Sequence, residues 1–128
     1  MKKIFYIIAA ALLALGLNSC NMTIENPKAG NFVGTWDLQS TEIIGVNGSV
    51  TTSVPKTLDY LVITKDKISF YESSKLSKEG KFDVKDNIIY VDGVSTYKVE
   101  KFSLREMTLS QDGLGLLVNS YRANYKKR

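Results

Sequence analysis

The sequence predicts an all-β domain in which about eight antiparallel strands close into an up-and-down barrel. β-Branched and aromatic residues recur in short runs, several runs alternate apolar with polar side chains, and turn-forming residues separate them. Because tight turns join consecutive runs, each run should pair with the next, and such a sheet can remove its exposed edges by closing into a barrel. A sandwich of the immunoglobulin type is the alternative, although it would need longer crossing connections.

Residues 1–19 have the order that is typical of a signal peptide. Two lysines follow the initiator methionine, and residues 4–17 form an uncharged apolar run. This run is shorter than the ~18 to 20 residues that a permanent membrane-spanning helix needs. The segment LNSC at residues 17–20 resembles a bacterial lipobox, and the resemblance implies cleavage before Cys20 and attachment of lipid to it. An ordinary secreted protein with an unpaired cysteine is the alternative.

More than one acyl chain on Cys20 would hold the protein on a bilayer, whereas a single chain binds only marginally. We therefore expect a lipid-anchored protein of the bacterial cell envelope, placed in the outer membrane, with the periplasmic and surface-exposed sides both open. Residues 20–31 are polar, contain Pro27 and Gly30 and show no strand or helix period, which is typical of a tether. The predicted domain is then residues 32–128, enough for one compact core.

Nine runs beyond the tether are predicted to be strands. Alternation is clear where Ile68 and Phe70 share one face and polar neighbours share the other, so one side should be dry and the other wet. The stretches 60–63 and 88–91 are apolar on both faces, and adjacent packing or a partner protein could cover their outer side. The nine runs are residues 33–44, 49–54, 58–64, 67–73, 79–84, 87–91, 95–102, 105–111 and 114–125.

Short turn-forming sequences lie between several of these runs. Glycine and asparagine accept positive φ angles, and aspartate commonly begins a turn, so these sequences predict tight hairpins between antiparallel neighbours. They are Val46-Asn47-Gly48, Lys65-Asp66, Lys85-Asp86, Asp92-Gly93 and Asp112-Gly113.

Charge and composition argue against several classes of function. The 17 basic and 13 acidic residues alternate along the chain, whereas a nucleic-acid interface needs basic residues gathered on one face. Histidine is absent and Cys20 is the only cysteine, which excludes zinc sites built on imidazole or thiolate and nucleophiles activated by histidine. No spacing brings two carboxylates together as an acid and base pair. We expect no enzymatic activity, no cofactor, no metal and no nucleic-acid partner.

The start of the first predicted strand resembles a motif of a known family. Gly34-Thr35-Trp36 resembles the Gly-x-Trp opening of the lipocalin superfamily, and the chain ends in a strand that is rich in basic and aromatic residues. The resemblance implies that Trp36 plugs the closed end of a barrel and that a basic residue, here Arg122, packs across its ring. A guanidinium on an indole contributes about 0.5 to 2 kcal/mol. The alternative is that Trp36 is an ordinary core aromatic and Arg122 a solvated strand residue.

An eight-stranded barrel is either filled by its own side chains or able to hold one small ligand. The resemblance to small lipocalin-like lipoproteins implies the second, with a small apolar or amphipathic ligand. For each candidate lining residue, ordinary core packing is the alternative. The candidates are Tyr60, Phe70, Phe82, Tyr90, Tyr97, Met107 and Tyr121. The second hypothesis for function is a protein-interaction or structural module of the envelope, whose interior would be filled.

Overall fold

The computed structural model describes residues 22–113 and 118–128. The predicted signal peptide at 1–19 and the predicted lipid attachment at Cys20 lie outside these residues. A short 3-10 helix, Ala29–Phe32, precedes nine strands. The strands are β1 Gly34–Gly45, β2 Val50–Ser53, β3 Tyr60–Ile63, β4 Lys67–Glu72, β5 Lys75–Lys85, β6 Ile88–Val91, β7 Val94–Phe102, β8 Glu106–Asp112 and β9 Val118–Lys127.

Eight of these strands form a closed antiparallel barrel. From β3 to β9 each strand pairs with the next one in the chain, and β1 joins the two ends by pairing with both β3 and β9. The predicted all-β, up-and-down barrel is therefore confirmed, and the sandwich alternative is wrong. Closure follows from the hairpin connections, because sequential pairing leaves only the first and last strands with an open edge.

The strand β2 lies outside the closed barrel. The long strand β1 pairs with β9 along one edge. Two strands share its other edge: β3 pairs with residues 34–37 and β2 pairs with residues 41–44. Residues 54–59 connect the two and leave the ladder of β1 interrupted at that point. Every residue of β2 is exposed, and its second edge has no partner strand among the described residues.

Aromatic side chains fill one end of the barrel, here called the closed end. Phe32, which is fully buried, has its ring centroid 4.4 Å from that of Phe102 and 5.7 Å from that of Phe82. The indole N–H of Trp36 donates a hydrogen bond of 2.8 Å to the carbonyl of Phe32. The 3-10 helix therefore covers this end of the barrel, where a buried hydrogen bond holds it in place.

The residues before this helix also pack on the barrel. Thr23 forms a β-bridge with Ser103, the backbone N–H of Ile24 donates to the carbonyl of Phe102, and Pro27 is buried. The part of the predicted tether, residues 20–31, that follows Met22 therefore packs on the barrel and does not extend freely. The polar composition that predicted a tether is compatible with docking, because a few apolar side chains and backbone hydrogen bonds suffice to hold such a segment.

The basic residue on Trp36 is Lys127, and the prediction of Arg122 is wrong. The ammonium of Lys127 lies 5.5 Å from the centre of the Trp36 ring. The register places Lys127 directly opposite Trp36, whereas Arg122 lies opposite Glu42 on the outer face and is exposed. Side chains alternate along a strand, so residues five apart on β9 must face opposite sides of the sheet.

Gly34 is required by its backbone conformation and lies beside the same lysine. A Cβ atom at this position would lie 2.6 Å from the Cε of Lys127, and the φ angle of +145° is one that L-residues rarely adopt. The glycine of the Gly-x-Trp sequence therefore allows the lysine stem to cross the start of β1 on its way to the indole ring.

Candidate functional site

The end of the barrel opposite Trp36 contains a cavity of about 330 Å³, here called the cup. Its inner wall is formed by barrel-facing side chains above the aromatic core, and its margin is formed by residues 53–55, Asp59 and the end of β4. The gap between β2 and β3 opens beside it, since residues 54–59 form no strand next to β1 and only the backbone N–H of Leu38 donates to the carbonyl of Asp59 there. The wall consists of Leu38, Thr41, Leu61, Phe70, Tyr97, Tyr121 and Tyr125.

Tyrosine dominates the lining of the cup. Five of the seven tyrosines in the chain contribute to it. Burial raises the pKa of Tyr97, Tyr121 and Tyr125 above the ordinary value of 10.0, and for Tyr125 the increase is large. Nearby phenols contribute to the increase, because ionised Tyr97 and Tyr121 would each repel an ionised Tyr125. The three hydroxyls therefore stay protonated and gather in one place, where they can donate and accept hydrogen bonds.

Two carboxylates lie at the margin of the cup. Asp59 precedes β3 and its Oδ1 accepts hydrogen bonds of 2.9 Å from the Thr57 hydroxyl and from the backbone N–H of Ser73. These bonds join the β2–β3 loop to the β4–β5 turn and fix the position of the carboxylate. Glu72 ends β4 and is exposed. The negative charges of Asp59 and Glu72 are close enough to contribute to the raised pKa of Tyr121.

The outer margin carries a stacked pair of tyrosines. The rings of Tyr60 and Tyr71 are 4.7 Å apart and nearly parallel, with 11° between their planes. The guanidinium of Arg128 lies 4.9 Å from the Tyr60 ring, and it also forms an ion pair of 2.7 Å with Asp37. Because Tyr60 lies opposite Asp37 in the register, it faces outward, and only the margin of the cup includes it. Its predicted place inside the barrel is wrong.

Apart from Tyr60, the predicted ligand-lining residues separate into three groups. Phe70, Tyr97 and Tyr121 line the cup wall, and their contact with a ligand stays a prediction. Phe82 and Met107 are buried in the closed-end core, at 4% and 1% exposure, where they contact packed side chains. Tyr90 pairs with Asp83 on the outer face, because its neighbours Ile89 and Val91 take the inward positions of β6. A run that is apolar on both faces does not reveal by itself which side is inward.

Most of the cup lining was missed in the sequence, including Leu38, Thr41, Tyr71, Tyr125 and the carboxylates Asp59 and Glu72. Alternation along the last strand could have found one of them, since Tyr121, Ala123 and Tyr125 have the same parity. Leu38 has the same parity as Trp36, so the same alternation could have found it, whereas Thr41 lies beyond a register shift between Leu38 and Ser40 that changes the alternation of β1.

Comparison with protein-family models, with curated proteins and with solved structures gave no match to this chain. Within residues 22–113 and 118–128, no helix is long and apolar enough to cross a bilayer. In the same residues, no three acidic, cysteine or histidine side chains form a group that could hold a metal ion. The functional proposal therefore depends on the geometry of the cup.

Proposed function

We propose that this protein is a lipid-anchored envelope protein that binds one small amphipathic molecule in the cup. The observation that carries the proposal is the cavity of about 330 Å³ with aromatic walls at one end of an otherwise filled barrel. Its volume is at the lower end of the ~300 to 1,000 Å³ typical of small-molecule sites. The ligand is therefore small and occupies only the upper part of the barrel.

The chemistry of the wall supports an amphipathic ligand. Leu38 and Phe70 offer apolar surface, while the phenols of Tyr97, Tyr121 and Tyr125 present flat rings with polar tips. An apolar body would pack on the rings and displace water, and a polar group would use the hydroxyls for orientation. The closed end plays no part in binding, because Trp36 and Phe32 are fully buried in the core.

The position of the N-terminal segment supports an orientation on the membrane. Met22 is next to Thr23, which pairs with Ser103. Ser103 directly follows Phe102, the last residue of β7, which lies at the closed end. A lipid on Cys20, only two residues before Met22, would hold the closed end near the bilayer. The cup then opens away from the membrane, where it takes up its ligand from the aqueous side.

The test is native mass spectrometry of the full lipoprotein, purified from the envelope of its host in mild detergent, with organic extraction of the same sample. We expect a stoichiometric small-molecule adduct that is lost on denaturation. Tyr97→Trp should abolish the adduct by filling the cup, whereas Tyr90→Trp on the outer face should keep it. An adduct that persists in Tyr97→Trp, or a bare wild-type mass, would contradict the proposal.

One observation favours a protein-interaction module as the second candidate. The β1–β2 hairpin exposes Ile43, Val46 and Val50, and β2 offers an open strand edge. Such an edge can accept a strand from a partner protein. Crosslinking in intact cells from a photoreactive residue at Val46 should capture a single envelope protein if this candidate is right, and the same crosslinker at Lys65 in the β3–β4 turn is the control.

A further inference from the structure

The charges that line the cup have one sign. Asp59 and Glu72 are the only ionised side chains that line it, and the described lining includes no lysine or arginine. Neither carboxylate takes part in an ion pair with another described residue, unlike Glu79, Glu100 and Asp37, which pair with Lys67, Lys98 and Arg128. Both hydrogen bonds to Asp59 end on Oδ1, so they leave its other oxygen open to a ligand.

Two rings of the cup, Phe70 in its wall and Tyr60 at its margin, already have a cation from the chain itself nearby. The ammonium of Lys78 lies 5.9 Å from the centre of the Phe70 ring, and the guanidinium of Arg128 lies 4.9 Å from that of Tyr60. The phenols of Tyr97, Tyr121 and Tyr125 have no such partner within the described part of the chain. Electron-rich ring faces next to carboxylates attract a cation and repel an anion.

We propose that the ligand of the cup carries an ammonium group, either a protonated amine or a quaternary ammonium, which binds between the inner phenols and the carboxylates of Asp59 and Glu72. The inference rests on the proposed function and names the class of its ligand. The apolar part of the molecule packs on Leu38 and Phe70, and the positive charge stays near the margin of the cup, where both carboxylates lie. An anionic ligand would meet two like charges there.

The carboxylates at the margin of the cup also act electrostatically on a tyrosine of its wall. Burial is the main cause of the raised pKa of Tyr121, and the charges of Asp59 and Glu72 add to it. The same carboxylates therefore act on the space that the phenols enclose, and their negative charge would attract a bound cation there.

The test compares two probes of the same shape, choline and its neutral carbon isostere 3,3-dimethylbutan-1-ol. Binding to the full-length protein in a neutral maltoside detergent is measured by isothermal titration calorimetry and by NMR shifts of the tyrosine rings. We expect choline to bind about tenfold more tightly than the neutral isostere, the ratio expected for a cation on partly desolvated rings. Asp59→Asn and Glu72→Gln should each weaken choline several-fold and leave the isostere unchanged.

The matched control is Asp66→Asn in the β3–β4 turn at the closed end, which should not change binding of either probe. If the isostere binds as tightly as choline, or if neither Asp59→Asn nor Glu72→Gln affects choline, the cation proposal is overturned and the cup remains a site for neutral molecules. If neither probe shifts the NMR signals of a cup tyrosine, the cation proposal is also overturned. The proposed function is decided separately, by the presence or absence of the small-molecule adduct in native mass spectrometry.

Discussion

Trp36 shows how one residue connects the start of the barrel to its end. Its indole N–H holds the 3-10 helix through the carbonyl of Phe32, and its ring face receives Lys127 from the last strand. These contacts involve the first and last strands, which must meet for the barrel to close. The ring is therefore placed to stabilise closure as well as to fill the core.

A double-mutant cycle tests the contact between Trp36 and Lys127. Trp36→Leu, Lys127→Met and the double variant should give a coupling of about 0.5 to 1 kcal/mol in the free energy of unfolding, the range for a cation on an aromatic ring near the surface. Denaturant unfolding supplies the measurement. Lys126→Met and Arg122→Met, both at outer-face positions, are the controls. A coupling as large for Arg122 as for Lys127 would contradict the observed packing.

The inner tyrosines make stability depend on alkaline pH. Burial keeps the pKa of Tyr97, Tyr121 and Tyr125 above 10.0, so the unfolded chain releases these protons at lower pH than the folded protein does. Their contribution to stability is complete below about pH 10 and is lost as the pH rises above it. Ultraviolet difference spectroscopy during an alkaline titration should show delayed phenol ionisation that coincides with unfolding.

Tyr125→Phe should reduce this alkaline loss most, because Tyr125 has the largest increase in pKa. Tyr90→Phe on the outer face is the control, and it should keep the alkaline dependence of the native protein. Equal behaviour of the two variants would show that the burial of Tyr125 does not contribute to it.

At the scale of elements, hairpin turns follow the sequence closely. Asp92 and Gly93 have φ angles of 52° and 79°, as the turn prediction required, and Asp86 and Asn87 have 51° and 62°, one residue beyond the predicted Lys85-Asp86 turn. The β4–β5 turn was missed, because Ser73 and Ser74 adopt φ angles of 51° and 62° without glycine or asparagine. For that reason β5 begins at Lys75, four residues before the predicted start at 79.

The strand β2 should contribute little to the stability of the barrel. It pairs only with β1 and all of its residues are exposed, whereas β4 pairs on both edges within the closed sheet. Thr51→Pro should lower the free energy of unfolding by at most about 1 kcal/mol. Ser69→Pro, in the same kind of ladder but in β4, should cost about 3 kcal/mol or more. Thermal unfolding of the two variants makes the comparison, and equal losses would show that the hairpin supports the barrel.

The whole molecule has two unlike ends. The closed end receives the N-terminal segment and a packed aromatic core, and the open end holds the cup and the exposed β1–β2 hairpin. Exposed Leu104 lies in the turn after β7 near the closed end, and exposed Val46 lies beyond β1 at the other end. An anchor on Cys20 therefore predicts a defined orientation on the membrane.

Site-specific fluorophores test that orientation. Because Cys20 is the only cysteine and would be acylated, Leu104→Cys and Val46→Cys each introduce one reactive thiol. In vesicles with quencher-labelled lipid headgroups, the dye at residue 104 should be quenched more strongly than the dye at residue 46. Stronger quenching at residue 46 would reverse the proposed orientation. Cys20→Ser should release the protein from the membrane, and continued sedimentation of that variant with membranes would contradict the lipid anchor.

Much of the fold could be predicted from local patterns. Alternating side chains and tight turns require antiparallel neighbours, and each predicted strand contains or overlaps an observed one. The position of the cup was only partly predictable. Phe70, Tyr97 and Tyr121 were found as aromatic residues on alternating strands, but the same reasoning included Tyr90, which faces outward, and Phe82, which belongs to the core.

The sequence by itself determined the strand order and the hairpin connections, because these depend on residues that are neighbours in the chain. Only the tertiary structure decided which basic residue meets Trp36, that β2 lies outside the barrel, and that Asp59 and Glu72 join three half-buried tyrosines around one cavity. Those features depend on the register between β1 and β9 and on the local shifts in pairing, which arise from long-range closure of the sheet and leave no pattern within any single strand.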